Sequence, residues 1–229
     1  MLRTKNIVIK KHVRVFSAGN VKKAEEIWLL FHGYGQDINS FFEPFKKLKT
    51  KHAFIIPEGI SRFYQKGIFG KVGASWMTSE DRNKEIIDQY NYINKIFKEY
   101  KLNEKKINIF AFSQGAPVAA RWIEKHQIKV QRLIFWSGNI PDSIAANING
   151  FINKQNPEFY IGENDQFAST DLWMTLVSKR RGDGEMTALL VQFNSVVGDV
   201  EGNRKRLQAM LLGWRVRLCQ IELVTETNC

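Results

Sequence analysis

Along the first two-thirds of the chain, short continuous apolar runs alternate with stretches of helical spacing. This is the rhythm of a mostly parallel central sheet with helices on both faces. Residues 7–16 mix charged and branched side chains and predict an edge strand. Residues 27–31 (IWLLF) are apolar throughout, as a strand buried on both faces must be, and run into the tight sequence His32-Gly33-Tyr34-Gly35. A helix is expected over 39–48, a second buried strand over 54–57 (FIIP), and a long loop rich in glycine and aromatics over 58–78. Ser79, followed by Glu80 and Asp81, opens a helix reaching about residue 100, with Ile86, Ile87, Tyr90, Ile93 and Phe97 on its apolar face. Residues 107–112 (INIFAF) form a third buried strand, and a helix over 114–125 follows at once with Val118, Ala119 and Trp122 inward. Two more short apolar strands, 133–136 (LIFW) and 159–161 (FYI), each end in a small residue and a polar turn. Sheets of this kind carry their sites at the carboxyl ends of the strands.

Composition supports a single α/β domain over 1–229. The chain has 229 residues, 44% of them apolar and 12% aromatic, enough for a sizeable core. No apolar run approaches the roughly 18 residues of a membrane span, and the first residues lack a secretory pattern, so a cytoplasmic protein is expected. Cys219 and Cys229 form neither a disulfide framework nor a metal site, and the pattern calls for no cofactor. The formal net charge of +11 comes from lysines spread over helix faces and turns, such as Lys46, Lys47, Lys49, Lys51 and Lys95. Without a basic stripe interleaved with aromatics, it reads as a solvated exterior rather than a nucleic-acid surface. Nothing in the pattern specifies an oligomeric state.

One compositional break does change the picture. Isoleucine is abundant up to Ile161 and after Thr170 occurs only at Ile221, while lysine gives way to arginine except at Lys179 and Lys205. The tail over 171–229 still has folding signals. Residues 203–213 have helical spacing and end in glycine, and residues 214–224 alternate like a half-buried strand.

The chemistry centres on Ala111-Phe112-Ser113-Gln114-Gly115, between a buried strand and a helix. A serine on a sharp strand-to-helix turn, flanked two residues away by small side chains, is the G-x-S-x-G nucleophile elbow; Ala111 replaces the first glycine. An oxyanion beside such a serine is held by the N–H after the nucleophile and by one from the loop after an earlier strand, which points to Gln114 and Tyr34. His32 reads as a residue that shapes that loop. Downstream, Tyr160-Ile161-Gly162-Glu163-Asn164-Asp165 carries an acid past a strand tip, in the order serine then acid. Glu163 competes for the role, and Asp165 lies deeper in the loop.

Six stretches, LLFHGYGQD (29–37), IIPEG (55–59), GASWM (73–77), FAFSQGAPVAARW (110–122), LIFWSG (133–138) and YIGENDQF (160–167), resemble in order the phospholipase/carboxylesterase family of α/β-hydrolases, which includes acyl-protein thioesterase-like enzymes. The resemblance covers about 1–170 and leaves 171–229 as a divergent tail. It implies an α/β-hydrolase fold with an atypical C-terminal segment, acting on small acyl esters or thioesters without a metal. It implies Ser113 as nucleophile, Asp165 as the acid of the triad, and Tyr34 and Gln114 as oxyanion donors. Trp76 and Met77 correspond to the substrate groove, although Trp76 equally fits simple core packing.

The family's third catalytic residue is a histidine near the C-terminus. Here the histidines are His12, His32, His52 and His126, all before Asp165, and 171–229 contains none. A serine hydroxyl without a base is a poor nucleophile, and loss of a triad member typically costs many thousandfold. Three readings fit: a tail translated in another frame or recombined at the compositional break, a non-catalytic relative that binds acyl ligands, or a base rerouted from elsewhere. His126 serves the third poorly, because a helix of about a dozen residues carries it roughly 18 Å from Ser113.

Overall fold

The computed structural model describes residues 2–48, 52–146, 148–162 and 190–193. Asp165, Glu163, both cysteines and the helix and strand expected in the tail lie outside the described residues.

Strands β1 (Val15–Ala18), β2 (Glu26–Phe31) and β3 (Ala53–Pro57) open the main sheet. β1 is shorter than the edge strand expected over 7–16. It runs antiparallel to β3 from Val15 opposite Pro57 to Ala18 opposite Phe54; one further backbone bond, Glu58 N–H to Arg14 O at 3.1 Å, follows, and residues before it leave the ladder. The helix expected over 39–48 is α1 (Ile38–Phe42) followed by a tighter 3-10 stretch, Glu43–Leu48. Pro44 explains the change, because it has no N–H to donate to the carbonyl four residues back. The loop expected over 58–78 contains a hairpin, β4 (Ser61–Tyr64) and β5 (Val72–Ser75), with Arg62 opposite Ala74.

α2 (Arg82–Glu99) begins three residues after Ser79, behind an Asp81 in the left-handed region at φ 46°. Its buried face is Gln89, Tyr92, Ile93 and Ile96, whereas Ile87, expected inside, is 55% exposed. β6 (Lys106–Phe112), α3 (Gly115–His126) and β7 (Arg132–Trp136) follow as expected. Two short helices that the apolar pattern had not marked, α4 (Asp142–Ala145) and α5 (Ile148–Gln155), precede β8 (Glu158–Gly162). β9 (Leu190–Phe193) adds a parallel strand beside β8.

Among the described residues the main sheet has seven strands in the order β1-β3-β2-β6-β7-β8-β9, with β1 alone antiparallel. Alternation along β2 sends Ile27, Leu29 and Phe31 into a core shared with Ile93, Ile96, Val118 and Trp122 of α2 and α3. Trp28 and Leu30 enter a second core with Phe41 and Phe45 beneath α1 and the 3-10 turn. Full burial of a side chain of this size is worth about 2–3 kcal/mol, so each face holds its helices firmly.

The strand order also locates the crevice. After β2 the chain moves to one side, to β3; after its neighbour β6 it moves to the other, to β7. The loops leaving the carboxyl ends of β2 and β6 therefore diverge, and the crevice between them is where open α/β sheets bind ligands. Those loops are His32–Gly35 and Ser113–Gln114.

Candidate active site

β6 delivers Ser113 directly to this crevice. Ser113 has φ 49°, in the left-handed region, and is half-buried. Its N–H donates to the Trp136 carbonyl at 2.9 Å, and its carbonyl accepts from Ala116 N–H at 3.0 Å, so the turn is fixed from both sides. The small residues around it are required by contact. A Cβ on Gly115 would lie 2.6 Å from the Phe31 carbonyl oxygen and 2.8 Å from that of His32. One on Gly138 would meet the Ala116 Cβ at 2.4 Å. On the facing loop, a Cβ on Gly33 would be 2.8 Å from the Phe112 ring and 3.1 Å from the Ser113 Cβ. The loop after β2 thus lies against the serine, with Tyr34 next in the chain.

The N–H groups of Tyr34 and Gln114 donate to no acceptor among the described residues, as oxyanion donors awaiting a ligand must. Both loops are braced. Gln36 accepts from Gly33 N–H through Oε1 at 2.7 Å, while Gly35 N–H donates to Ala74 O at 2.8 Å and Ala74 N–H to Gln36 O at 3.1 Å, stitching the loop to β5. The Tyr34 side chain itself is 63% exposed and packs against Phe63, the rings tilted by 34° with centroids 5.3 Å apart.

The Gln114 side chain makes contacts of its own. Its Oε1 accepts from Trp76 N–H at 3.0 Å and Ser75 Oγ at 3.3 Å, and its Nε2 donates to Met77 O at 2.8 Å. The side chain thereby clamps residues 75–77 to the start of α3. The pentapeptide gave no hint of this clamp, since its partners lie nearly forty positions away; a polar residue behind the serine and the GASWM stretch were the available signals.

Trp76 is 1% exposed, its indole N–H donates to His32 O at 2.9 Å, and its ring lies 5.1 Å from that of His32 and 5.6 Å from that of Phe31. Trp76 is therefore packed in the core beside the His32 loop. Met77 is 8% exposed, with its sulfur 3.7 Å from Nη1 of the buried Arg121. Burial, followed by the nearby Arg82 charge, holds the Arg121 guanidinium below its ordinary pKa.

All four histidines of the chain are described, and none hydrogen-bonds Ser113. His32 is fully buried. Its Nε2 accepts from Gly59 N–H at 2.8 Å, so Nδ1 carries the proton and donates to Gly33 O at 2.7 Å. Burial pushes its pKa below the ordinary 6.5, against the opposing pull of the Gly33 carbonyl and Glu58. The ring is a neutral strut between two loops with both nitrogens engaged. His126 ends α3, meets Asn94 at 3.3 Å and abuts Tyr90, so thirteen positions of elbow and helix, roughly 18 Å, separate it from Ser113. His52 precedes β3 at the opposite end of the sheet, beside Phe54, and His12 stands exposed before β1.

Residues 12–170 match the family described as phospholipase/carboxylesterase. Among curated proteins none matches the chain in sequence. Solved structures similar to it include acyl-protein thioesterase 2 of Zea mays, with 16% identity over 87% of this chain and 100% of that one at a TM-score of 0.54. A soluble variant of the monoglyceride lipase of Saccharomyces cerevisiae, in complex with a substrate analogue, is 10% identical over 86% of this chain and 90% of that one, with a TM-score of 0.56. Est1E of Butyrivibrio proteoclasticus, with ferulic acid bound, is 14% identical over 88% and 95%, with a TM-score of 0.55. These likenesses and the sheet order establish the α/β-hydrolase fold.

Proposed function

The chain belongs to the phospholipase/carboxylesterase family, and from that premise we propose that it is built for acyl-ester or thioester hydrolysis through an acyl-enzyme at Ser113. The observation that carries this reading is the strained Ser113, at φ 49°, with Gly33 lying against its Cβ and the Tyr34 and Gln114 N–H groups without an acceptor among the described residues. In the reaction, Ser113 Oγ adds to the acyl carbonyl carbon and the oxygen gains charge facing the two N–H groups. The carbon–oxygen or carbon–sulfur bond to the leaving group then breaks, and water releases the acid from the ester on Ser113. Asp165 would orient a histidine in this scheme. A cytoplasmic setting belongs to the same proposal.

The serine proton is the weak point. His32 has both nitrogens engaged and His126 is a helix length away, so this chain offers Ser113 no histidine base. Oxyanion stabilisation and binding alone leave roughly a thousandfold acceleration over water in such sites. The expected outcome is slow hydrolysis of p-nitrophenyl butyrate and of an S-butyryl thioester, with a butyryl adduct on Ser113 seen by mass spectrometry that Ser113→Ala removes. Its rate should climb with hydroxide concentration and show no inflection near the ordinary histidine value of about 6.5. A fast reaction with such an inflection would overturn the base-poor reading.

A second reading, an acyl-ligand binding protein on the same scaffold, is favoured by a specific coincidence. The family match ends at residue 170, where isoleucine also gives out. It predicts saturable binding of a short-chain acyl ester, unchanged by Ser113→Ala and without turnover.

A further inference from the structure

Among the described residues, the exposed large apolar side chains other than Ile87 fall in three places: residues 2–13, Tyr34, and the hairpin from Tyr64 to Val72. All three lie at one end of the molecule. Tyr34 follows the carboxyl end of β2, and the β4–β5 hairpin follows that of β3. The arm before β1 emerges where Val15 pairs with Pro57, then crosses Ile60, whose carbonyl accepts from Lys11 at 2.8 Å, and reaches Asp81, which accepts from Asn6 at 2.9 Å. This is also the end that carries Ser113. On the arm, Ile7 is 76% exposed, Val8 96% and Ile9 76%; at the hairpin tip, Ile68 is 73% and Phe69 77% exposed.

Within these two segments the charged side chains have one sign. Arg3, Lys5, Lys10, Lys11 and Arg14 sit on the arm, and Arg62, Lys66 and Lys71 on the hairpin, with no carboxylate in residues 2–14 or 59–79. Some are internally paired, Lys71 with Asp37 at 2.7 Å and Arg14 with Glu58 at 2.7 Å, while Lys5, Lys10 and Lys66 are exposed without a hydrogen bond or ion pair among the described residues. Exposed aliphatic and aromatic tips set among unopposed lysines match the interfacial zone of an anionic bilayer, where apolar groups enter the acyl boundary and cations meet the headgroups. A second copy of the chain would bring like charge against like charge. Nucleic acid would leave the branched aliphatic tips unused.

We propose that the arm over residues 2–14 and the β4–β5 hairpin together form a docking surface for anionic lipid membranes, which turns the crevice at Ser113 toward the bilayer. Docking itself goes beyond the hydrolase reading and needs no turnover; that the docked crevice draws its acyl substrate from the bilayer rests on that reading. The described helices include none long and apolar enough to cross a membrane.

Sedimentation of the full chain with phosphatidylcholine vesicles containing phosphatidylserine, against phosphatidylcholine alone, tests the proposal. The chain should bind the anionic vesicles, release in high salt, and bind as well when Ser113→Ala removes any chemistry, which separates docking from hydrolysis. Lys5→Glu with Lys10→Glu should weaken binding at least tenfold, as expected when headgroup-facing cations are reversed. Ile68→Ser with Phe69→Ser should weaken it several-fold, whereas Ile87→Ser, on α2, should leave it unchanged. These side chains are exposed, and unchanged melting temperatures would show that the variants fold. Equal affinity for neutral and anionic vesicles, no sedimentation with either, or undiminished binding in the hairpin variant would overturn the proposal. So would tighter binding to a single-stranded RNA than to the anionic vesicles.

Discussion

Ser113 is held in a backbone conformation that its own Cβ disfavours, at φ 49°. For a residue other than glycine this region costs about 1–2 kcal/mol, so Ser113→Gly should stabilise the protein by about 1 kcal/mol, after the entropy of the freer unfolded chain is deducted. An increase in the urea midpoint would show it, and an unchanged or lower midpoint would mean the turn is not strained. Gly115 poses the opposite case. A methyl there would press on the carbonyl oxygens of Phe31 and His32, which belong to backbone and have little room to retreat. Gly115→Ala should cost about 3 kcal/mol, the upper end for overpacking, and lower the thermal midpoint accordingly. Gly115 was readable from the sequence because the elbow demands a small residue two positions after the serine. Gly33 and Gly138 were not, since the atoms they must avoid come from distant segments.

At the scale of elements, strands buried on both faces announced themselves as apolar runs, and β2, β3, β6, β7 and β8 fall where those runs lie. The hairpin did not, because Val72-Gly73-Ala74-Ser75 carries almost no strand signal. Its pairing is imposed by the β2 loop, close enough that a Cβ on Gly73 would come within 2.0 Å of the Gly35 carbonyl oxygen. α2 shows a related limit: several apolar stripes share its spacing, and packing against α3 selects the one containing Tyr92, Ile93 and Ile96 over Ile87. The join between elements is where Gln114 acts, and it yields a prediction of its own. Gln114→Leu keeps much of the bulk but leaves Trp76 N–H without its acceptor and Met77 O with Ser75 Oγ alone, at 3.1 Å, so it should destabilise by about 1–2 kcal/mol. Hydrogen exchange at the Trp76 amide should accelerate more than at amides in the middle of β6. Equal acceleration at both would mean that the clamp does not hold the 75–77 segment locally.

For the molecule as a whole, the sheet order joins what the sequence holds apart. Placing β6 beside β2 brings His32 and Ser113 to one crevice although eighty-one positions separate them. No local pattern encodes that neighbour choice; it arises from which apolar faces fit together. His32 converts this assembly into a pH dependence. In the folded protein its neutral ring bridges the β2 loop to Gly59 after β3, with its pKa depressed by burial below the ordinary 6.5. Between the folded and unfolded values the unfolded chain holds the extra proton, so stability rises with pH over that interval. The contribution of His32 is therefore complete above about 6.5 and is lost progressively as pH falls below it, until the folded-state value is reached. Urea midpoints measured from pH 8 to pH 5 should decline on the acid side. His32→Gln, which retains an acceptor for Gly59 N–H but no titration in this range, should be less stable at pH 8 and show a flatter decline. A decline of equal steepness in the variant would assign the acid sensitivity to other groups. At low pH the first connection to fail would then lie elsewhere than between the loop carrying Tyr34 and the sheet that presents Ser113.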